Sequence, residues 1–312
     1  MRLNSFACDG WPLEKRRGEI MELTEKQKAL LQNLKELLVY GNNELAKVGL
    51  KRKRTSLKKR LLFFMMGATQ SYAESILKII TPTQEHPAIY DKPALVLLRS
   101  LTENFININY IHACNTQANA AIYQIHYLQD TVKFANRYKC LMLKYPKSQY
   151  PDWDLTFGFV DNDPRNIKKP ADWDKFIKKL ERQILSNQRR YKLSPKSELP
   201  SIEKRCVETD NYLKAKGKLN PGNSLEKLYV TYYPYFSGIA HLTAPGLNTF
   251  IKSMPDGSLT ADIDAPATEI ETIVPVTYPL YFSILKFFLQ RFNVYNNKDI
   301  KKYSSLSKTM RF

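Results

Sequence analysis

The chain has 312 residues, with 48 Lys+Arg against 30 Asp+Glu, a formal net charge of +18. A hydrophobic share of 43% and an aromatic share of 12% exclude wholesale disorder, and four cysteines exclude a disulfide scaffold. Eleven glycines and 17 prolines exclude collagen-like and low-complexity classes, leaving a globular protein whose positive charge suits polyanions: nucleic acid, anionic membrane or acidic protein.

The first 20 residues lack the apolar core of a secretory signal and read as a lead-in. Thr24 with Gln27 forms a capping box ahead of Leu30, Leu31, Leu34, Leu37 and Leu38, an amphipathic helix that Gly41-Asn42-Asn43 should end. A second helix is expected from Thr55 or Ser56 to Ile80, stopped by Thr81-Pro82. A third begins near Pro93 and reaches Cys114; a fourth covers Gln117 to Tyr145. Residues 146–171 hold Pro146, Pro151, Pro164 and Pro170 and read as a loop. Asp172 should cap a fifth helix bearing Phe176, Leu180 and Ile184, and a sixth should cover Ile202 to Lys216, with Gly217 at its end.

Asn223 with Glu226 reads as the cap of a seventh helix reaching Leu242, kinked at Pro234. Met254-Pro255-Asp256-Gly257 is a turn sequence between short β-like runs, so a hairpin is expected near residues 249–263. Thr268 with Glu271 suggests a capping box for a last long helix to Phe292. Its apolar run, Ile273 to Leu285, falls short of the roughly 20 residues of a membrane span, so a core helix is expected and no membrane span. The expected fold is all-α, a multi-helix bundle with a minor hairpin. Its parts would be a basic N-terminal region with one amphipathic helix (1–54), a bundle domain (55–292) with a basic insertion at about 161–220, and a C-terminal tail (293–312).

The charge is uneven. By segment it is +8 for residues 1–60, +1 for 61–160, +7 for 161–220 and +2 for 221–312. Lys51, Arg52, Lys53 and Arg54, followed by Lys58-Lys59-Arg60, form the densest run and are candidates for phosphate binding; a solvated helix start is the alternative. Arg189-Arg190-Tyr191-Lys192 sets an aromatic among cations.

Two polar motifs stand out. On the third helix Leu95, Arg99, Thr102, Glu103, Ile106 and Tyr110 share one side, so Arg99 and Glu103 sit in an apolar stripe and must pair. Either they fix helix register as an internal ion pair or they line a site. On the seventh helix Tyr233, Ser237 and His241 recur at four-residue spacing. His241 is a candidate general acid/base and Tyr233 and Ser237 candidate substrate contacts; the alternative is a hydrogen-bonded histidine near a helix end. No cysteine, histidine or carboxylate spacing suits a metal, and no cofactor is expected.

Arg99-Ser100-Leu101-x-Glu103 and Tyr233-x3-Ser237-x3-His241 resemble motifs of an uncharacterised, mostly bacterial family of helical proteins catalogued as a domain of unknown function, over roughly residues 60–290. The resemblance implies a shared internal cluster and no reaction. A looser similarity is to helical ribonucleases of the HEPN type, which use Arg and His to cleave RNA without metal. Their Arg lies four to six residues before the His on one helix, a spacing none of the four histidines here has.

The reading is a helical protein that binds or acts on nucleic acid. Its catalytic form is a metal-independent ribonuclease of bacterial defence or a toxin system, with Arg99, Glu103 and His241 as machinery. The alternative is a non-catalytic interaction module with a structural Arg–Glu–His network and a basic binding face. Expected partners are nucleic acid, RNA ahead of DNA, or an acidic protein. The isolated cysteines suit the cytoplasm.

Overall fold

A computed structural model describes residues 21–48, 55–84, 88–114, 116–144, 170–219, 224–241, 251–253, 259–261 and 266–310. Among these the protein is all-α apart from one small antiparallel ribbon. The helices are α1 (Glu25–Ala46), α2 (Leu57–Ile80), α3 (Asp91–Ala113), α4 (Thr116–Lys144), α5 (Pro170–Arg190), α6 (Ile202–Ala215), α7 (Leu225–Ala240), α8 (Ile270–Phe292) and α9 (Asn297–Thr309). The ribbon is β1 (Ile251–Ser253) with β2 (Leu259–Ala261), in the register Ile251 to Ala261. It falls where the turn sequence put the hairpin.

The chain divides into two compact units. Unit 1 comprises Met1–Lys51, Leu62–Phe105 and Lys227–Phe312; unit 2 comprises Arg52–Leu61 and Ile106–Glu226.

In unit 1, the Thr24/Gln27 capping box forms as expected and starts α1, whose Leu31, Leu34, Leu37 and Leu38 are buried. The helix does not end at Gly41. It runs on to Ala46, and Gly41 is buried within it. A Cβ at Gly41 would stand 1.8 Å from the Tyr281 hydroxyl, so the glycine serves close packing, not a turn. That Tyr281 hydroxyl donates to Gln70 Oε1, while Gln70 Nε2 donates to the Leu38 carbonyl at 3.0 Å. Three helices, α1, α2 and α8, are thus tied at one buried point.

Helix α8 is long and apolar enough to cross a membrane by length and composition, counted from Ala267 to Phe292, but 67% of its apolar window is buried inside the protein. It is the core helix, packed on α1 and α9. The Phe288 ring packs, tilted, at 4.6 Å from Phe292 and 6.3 Å from Phe63. The expected Thr268/Glu271 capping box does not form. A 3-10 turn, Ala267–Glu269, leads into the helix without a side-chain cap. Glu271 instead pairs with Lys26 and accepts from Gln27 Nε2 at 3.2 Å, both on α1. Beyond residue 293 the chain forms α9, capped by Asn296 and anchored by buried Ile300 and Tyr303, where a tail was expected.

In unit 2, α4 and α5 pack along their lengths around buried Ala135, Trp173 and Ile177, with Val132 and Phe176 against them. Lys139 meets Asp174 at 2.6 Å beside this contact. Helix α5 starts at Pro170, two residues before the expected cap Asp172, because proline suits a first helical turn. Ser201 caps α6, and Gly217 ends it at φ +65°, where a side chain would be strained. Buried Arg205 donates to Asn107 on α3.

The start of α7 carries a cap the sequence does not announce. Asp210 of α6 accepts from the Leu225 and Glu226 amides at 3.0 Å each, and from the Ser224 hydroxyl at 2.6 Å. The carboxylate sits against the positive end of the helix dipole. Asn223, the residue expected to cap this helix, lies outside the described residues.

Candidate functional site

The polar stripe on α3 pairs as its spacing requires. Arg99 Nη2 and Glu103 Oε1 are 3.1 Å apart, one helical turn along α3. The side chains are 21% and 30% exposed, so the pair is partly screened from water rather than sealed. Helix α3 is itself less enclosed than its composition suggests, because Pro93 and Val96 face solvent.

Tyr233, on α7, closes the pair into a triangle. Its hydroxyl donates to Glu103 Oε1 at 2.5 Å and accepts from Arg99 Nη2 at 3.1 Å. The Arg99 guanidinium also lies 5.4 Å from the Tyr233 ring centre, and the Tyr229 ring stacks on that of Tyr233 at 5.0 Å. Burial works against the Arg99 charge, but the Tyr233 hydroxyl and the Glu103 carboxylate outweigh it and raise the guanidinium's pKa. Burial, then the bond to Glu103, raises the Tyr233 phenol. All four groups belong to unit 1, where the triangle ties α3 to α7. The arrangement is charge-compensated: a permanent cation, a carboxylate and a neutral phenol between them.

His241 stands outside this triangle. It is exposed just past the end of α7, and its backbone N–H donates to the Ser237 carbonyl at 3.0 Å. Eight residues of helix separate it from Tyr233, a rise of about 12 Å, and helical side chains lean toward the N-terminus. Tyr233 therefore leans away from His241. Ser237 is half-buried between them. The structure joins Arg99, Glu103 and Tyr233, and does not bring Ser237 or His241 to them. Lys51, Arg52, Lys53 and Arg54 lie outside the described residues.

A second buried ionic group was not visible in the sequence. Asp91 and Lys92, both buried at the start of α3, pair at 3.0 Å. Burial, then the nearby Asp91, raises the carboxyl of Glu269 above its usual range, with Lys92 opposing. The same two causes raise Tyr235. Adjacent charges beside Pro93 read only as a helix start.

Among the described residues no three of His, Cys, Asp and Glu come together as metal ligands. A groove of about 350 Å³ opens between α1 and α9, lined by Lys35, Val39, Tyr40 and Tyr303 among others, and contains none of the candidate residues.

The strongest surface feature is electrostatic. Unit 2 holds 27 Lys+Arg against 13 Asp+Glu, a net +14; unit 1 holds 21 against 17, a net +4. Within unit 2, α5 places Lys175, Lys178, Lys179, Arg182, Arg189 and Arg190 inside an arc of about 120° at 100° per residue. All six are exposed, while Trp173, Ile177 and Leu180 on the opposite face are buried.

This geometry defines an all-α protein with one compensated polar triangle and one strongly basic helix face. The chain belongs to a family of unknown function, DUF5677, whose model matches residues 61–258. No curated protein and no solved structure matches it.

Proposed function

We propose that this protein is a non-catalytic nucleic-acid-binding module that captures its partner through unit 2. The observation that carries this reading is the charge partition: +14 of the +18 belongs to unit 2. Neutralising phosphates with Lys and Arg releases counterions and drives sequence-independent binding. In this reading the Arg99–Glu103–Tyr233 triangle is architecture that holds α3 against α7. The free thiols Cys114, Cys140 and Cys206 suit a reducing compartment, so the proposed setting is the cytoplasm.

The test is binding of the purified protein to a labelled RNA of about 20 nucleotides in chelator, over a salt series. Affinity should fall linearly on logarithmic axes with salt, the RNA should stay intact, and His241→Ala should bind as wild type does. RNA cleaved by wild type but not by His241→Ala would replace this reading with the ribonuclease, with His241 moving protons and Arg99 steadying the phosphate. No binding at low salt would end the nucleic-acid reading.

A further inference from the structure

We propose that the exposed face of α5 is the contact surface itself, a cationic rail for the phosphodiester backbone of nucleic acid, indifferent to base sequence. The inference rests on the nucleic-acid reading above and assigns it a place. From Lys175 to Arg190 the rail spans about 22 Å of helix, the length of about six phosphates on one strand of a duplex.

The rail's charge pattern argues for an anionic partner. Lys175 and Lys179, and Lys178 and Arg182, are like-charged at four-residue spacing, each pair destabilising a helix. A face built only for solvation mixes signs along that spacing. Elsewhere neighbouring turns do mix signs: Lys204 meets Glu208 at 4.0 Å four residues on, and Lys28 meets Glu25 at 2.8 Å and Lys133 meets Asp130 at 3.1 Å at three-residue spacing. On α5, Lys175 has Asp172 at 3.5 Å, but Lys178, Arg182, Arg189 and Arg190 have no carboxylate partner among the described residues. Asp174 and Glu181 fall on one flank of the helix, outside the arc.

Burial selects nucleic acid over the other polyanions. A cationic helix that docks on a membrane inserts its apolar face, and that face of α5 is already packed on α4 through Trp173 and Ile177. A protein partner needs an apolar or aromatic anchor at the centre of the contact. Of the large hydrophobic side chains on α5 only Leu185 is exposed, and it lies at the edge of the arc. Phosphates need neither. At the helix end Arg190 lies 5.6 Å from the Tyr191 ring, a half-buried aromatic that a terminal base can stack on.

The test uses the full chain with scrambled 20-nucleotide RNA and DNA, by fluorescence anisotropy across a salt series. The combined variant Lys178→Gln, Lys179→Gln, Arg182→Gln and Arg189→Gln should bind at least about tenfold more weakly near 100 mM salt. Its logarithmic salt slope should be shallower by roughly three. RNA and DNA should lose affinity alike. The single variants Lys178→Gln and Arg182→Gln should each flatten the slope by about one, which guards against a misfolded multiple variant. If wild type binds and the combined variant binds identically, the rail is overturned while the nucleic-acid reading stands, with Lys51–Arg54 the next segment to neutralise. If wild type binds neither RNA nor DNA, both fall together. Tighter binding to anionic phospholipid vesicles than to RNA, abolished in the combined variant, would overturn nucleic acid as the occupant.

Discussion

Two helices frame the difference between the units. In unit 1, α8 buries most of its side chains from Ile270 to Leu289, and the charged groups of α3 are compensated in a pair and a triangle. In unit 2, α5 buries one narrow stripe and leaves a strongly basic face in water, where Lys178, Arg182, Arg189 and Arg190 have no carboxylate partner among the described residues. The first pattern maximises fold stability. The second accepts like-charge repulsion on a helix that its packing on α4 holds in place. Polar groups meeting one another therefore read as architecture, and polar groups facing solvent without partners read as a surface meant for something else.

The largest expected effect couples the two roles. Trp173→Ala removes a side chain that is 2% exposed beneath the rail and should cost about 3–5 kcal/mol in chemical denaturation. It should weaken RNA binding in the same protein, because the stripe it buries orients the cations above. Gly41→Ala comes next. The added methyl meets the hydroxyl end of the rigid, fully buried Tyr281, so about 1–3 kcal/mol should be lost. Here the salt slope of RNA binding by the folded fraction should not change. A changed slope would break the separation between the two units' roles.

Tyr233→Phe removes the hydroxyl that accepts from Arg99 and donates to Glu103, and leaves their direct 3.1 Å pair in place. About 1 kcal/mol of stability should go, with RNA affinity unchanged. A loss of affinity without a loss of stability would move the triangle from architecture to site. The smallest effect has the opposite sign. Glu269 has its folded pKa raised by burial and by Asp91, so its neutral form is favoured in the fold. The stability this gives is present below the ordinary carboxyl range and is lost as pH rises through the raised value. Glu269→Gln should therefore raise the melting temperature at pH 7 by roughly one or two degrees and leave it unchanged near pH 4.

Much of the secondary structure is readable from local spacing. The Thr24 box, the Ser201 start with Gly217 as stop, and the hairpin turn all place their partners within a few residues. The misreadings share one cause. Gly41 looks like a stop but is a contact with Tyr281, 240 positions on; Glu271 looks like a capping partner but is held by α1. A residue suited to a local role was taken up by a distant partner. The candidate site divides in the same way. Arg99 and Glu103 pair because 3.6 residues per turn puts them together, whereas Tyr233 is 130 or more residues away and His241, on the same helix, stays outside.

By itself, then, the sequence determined what depends on periodicity and composition: a helical protein, an ion pair on the third helix, a basic excess concentrated in two segments, and an apolar last long helix. Tertiary structure decided which hydroxyl completes the ion pair, which carboxylate caps α7, and that the basic segments largely share one unit. It also decided that the apolar side of α5 packs on α4, so the cations of α5 stand on the face left exposed. Local geometry is set by backbone sterics over one helical turn. Long-range pairing is set by which apolar stripes bury each other, and that choice is made by the whole chain at once.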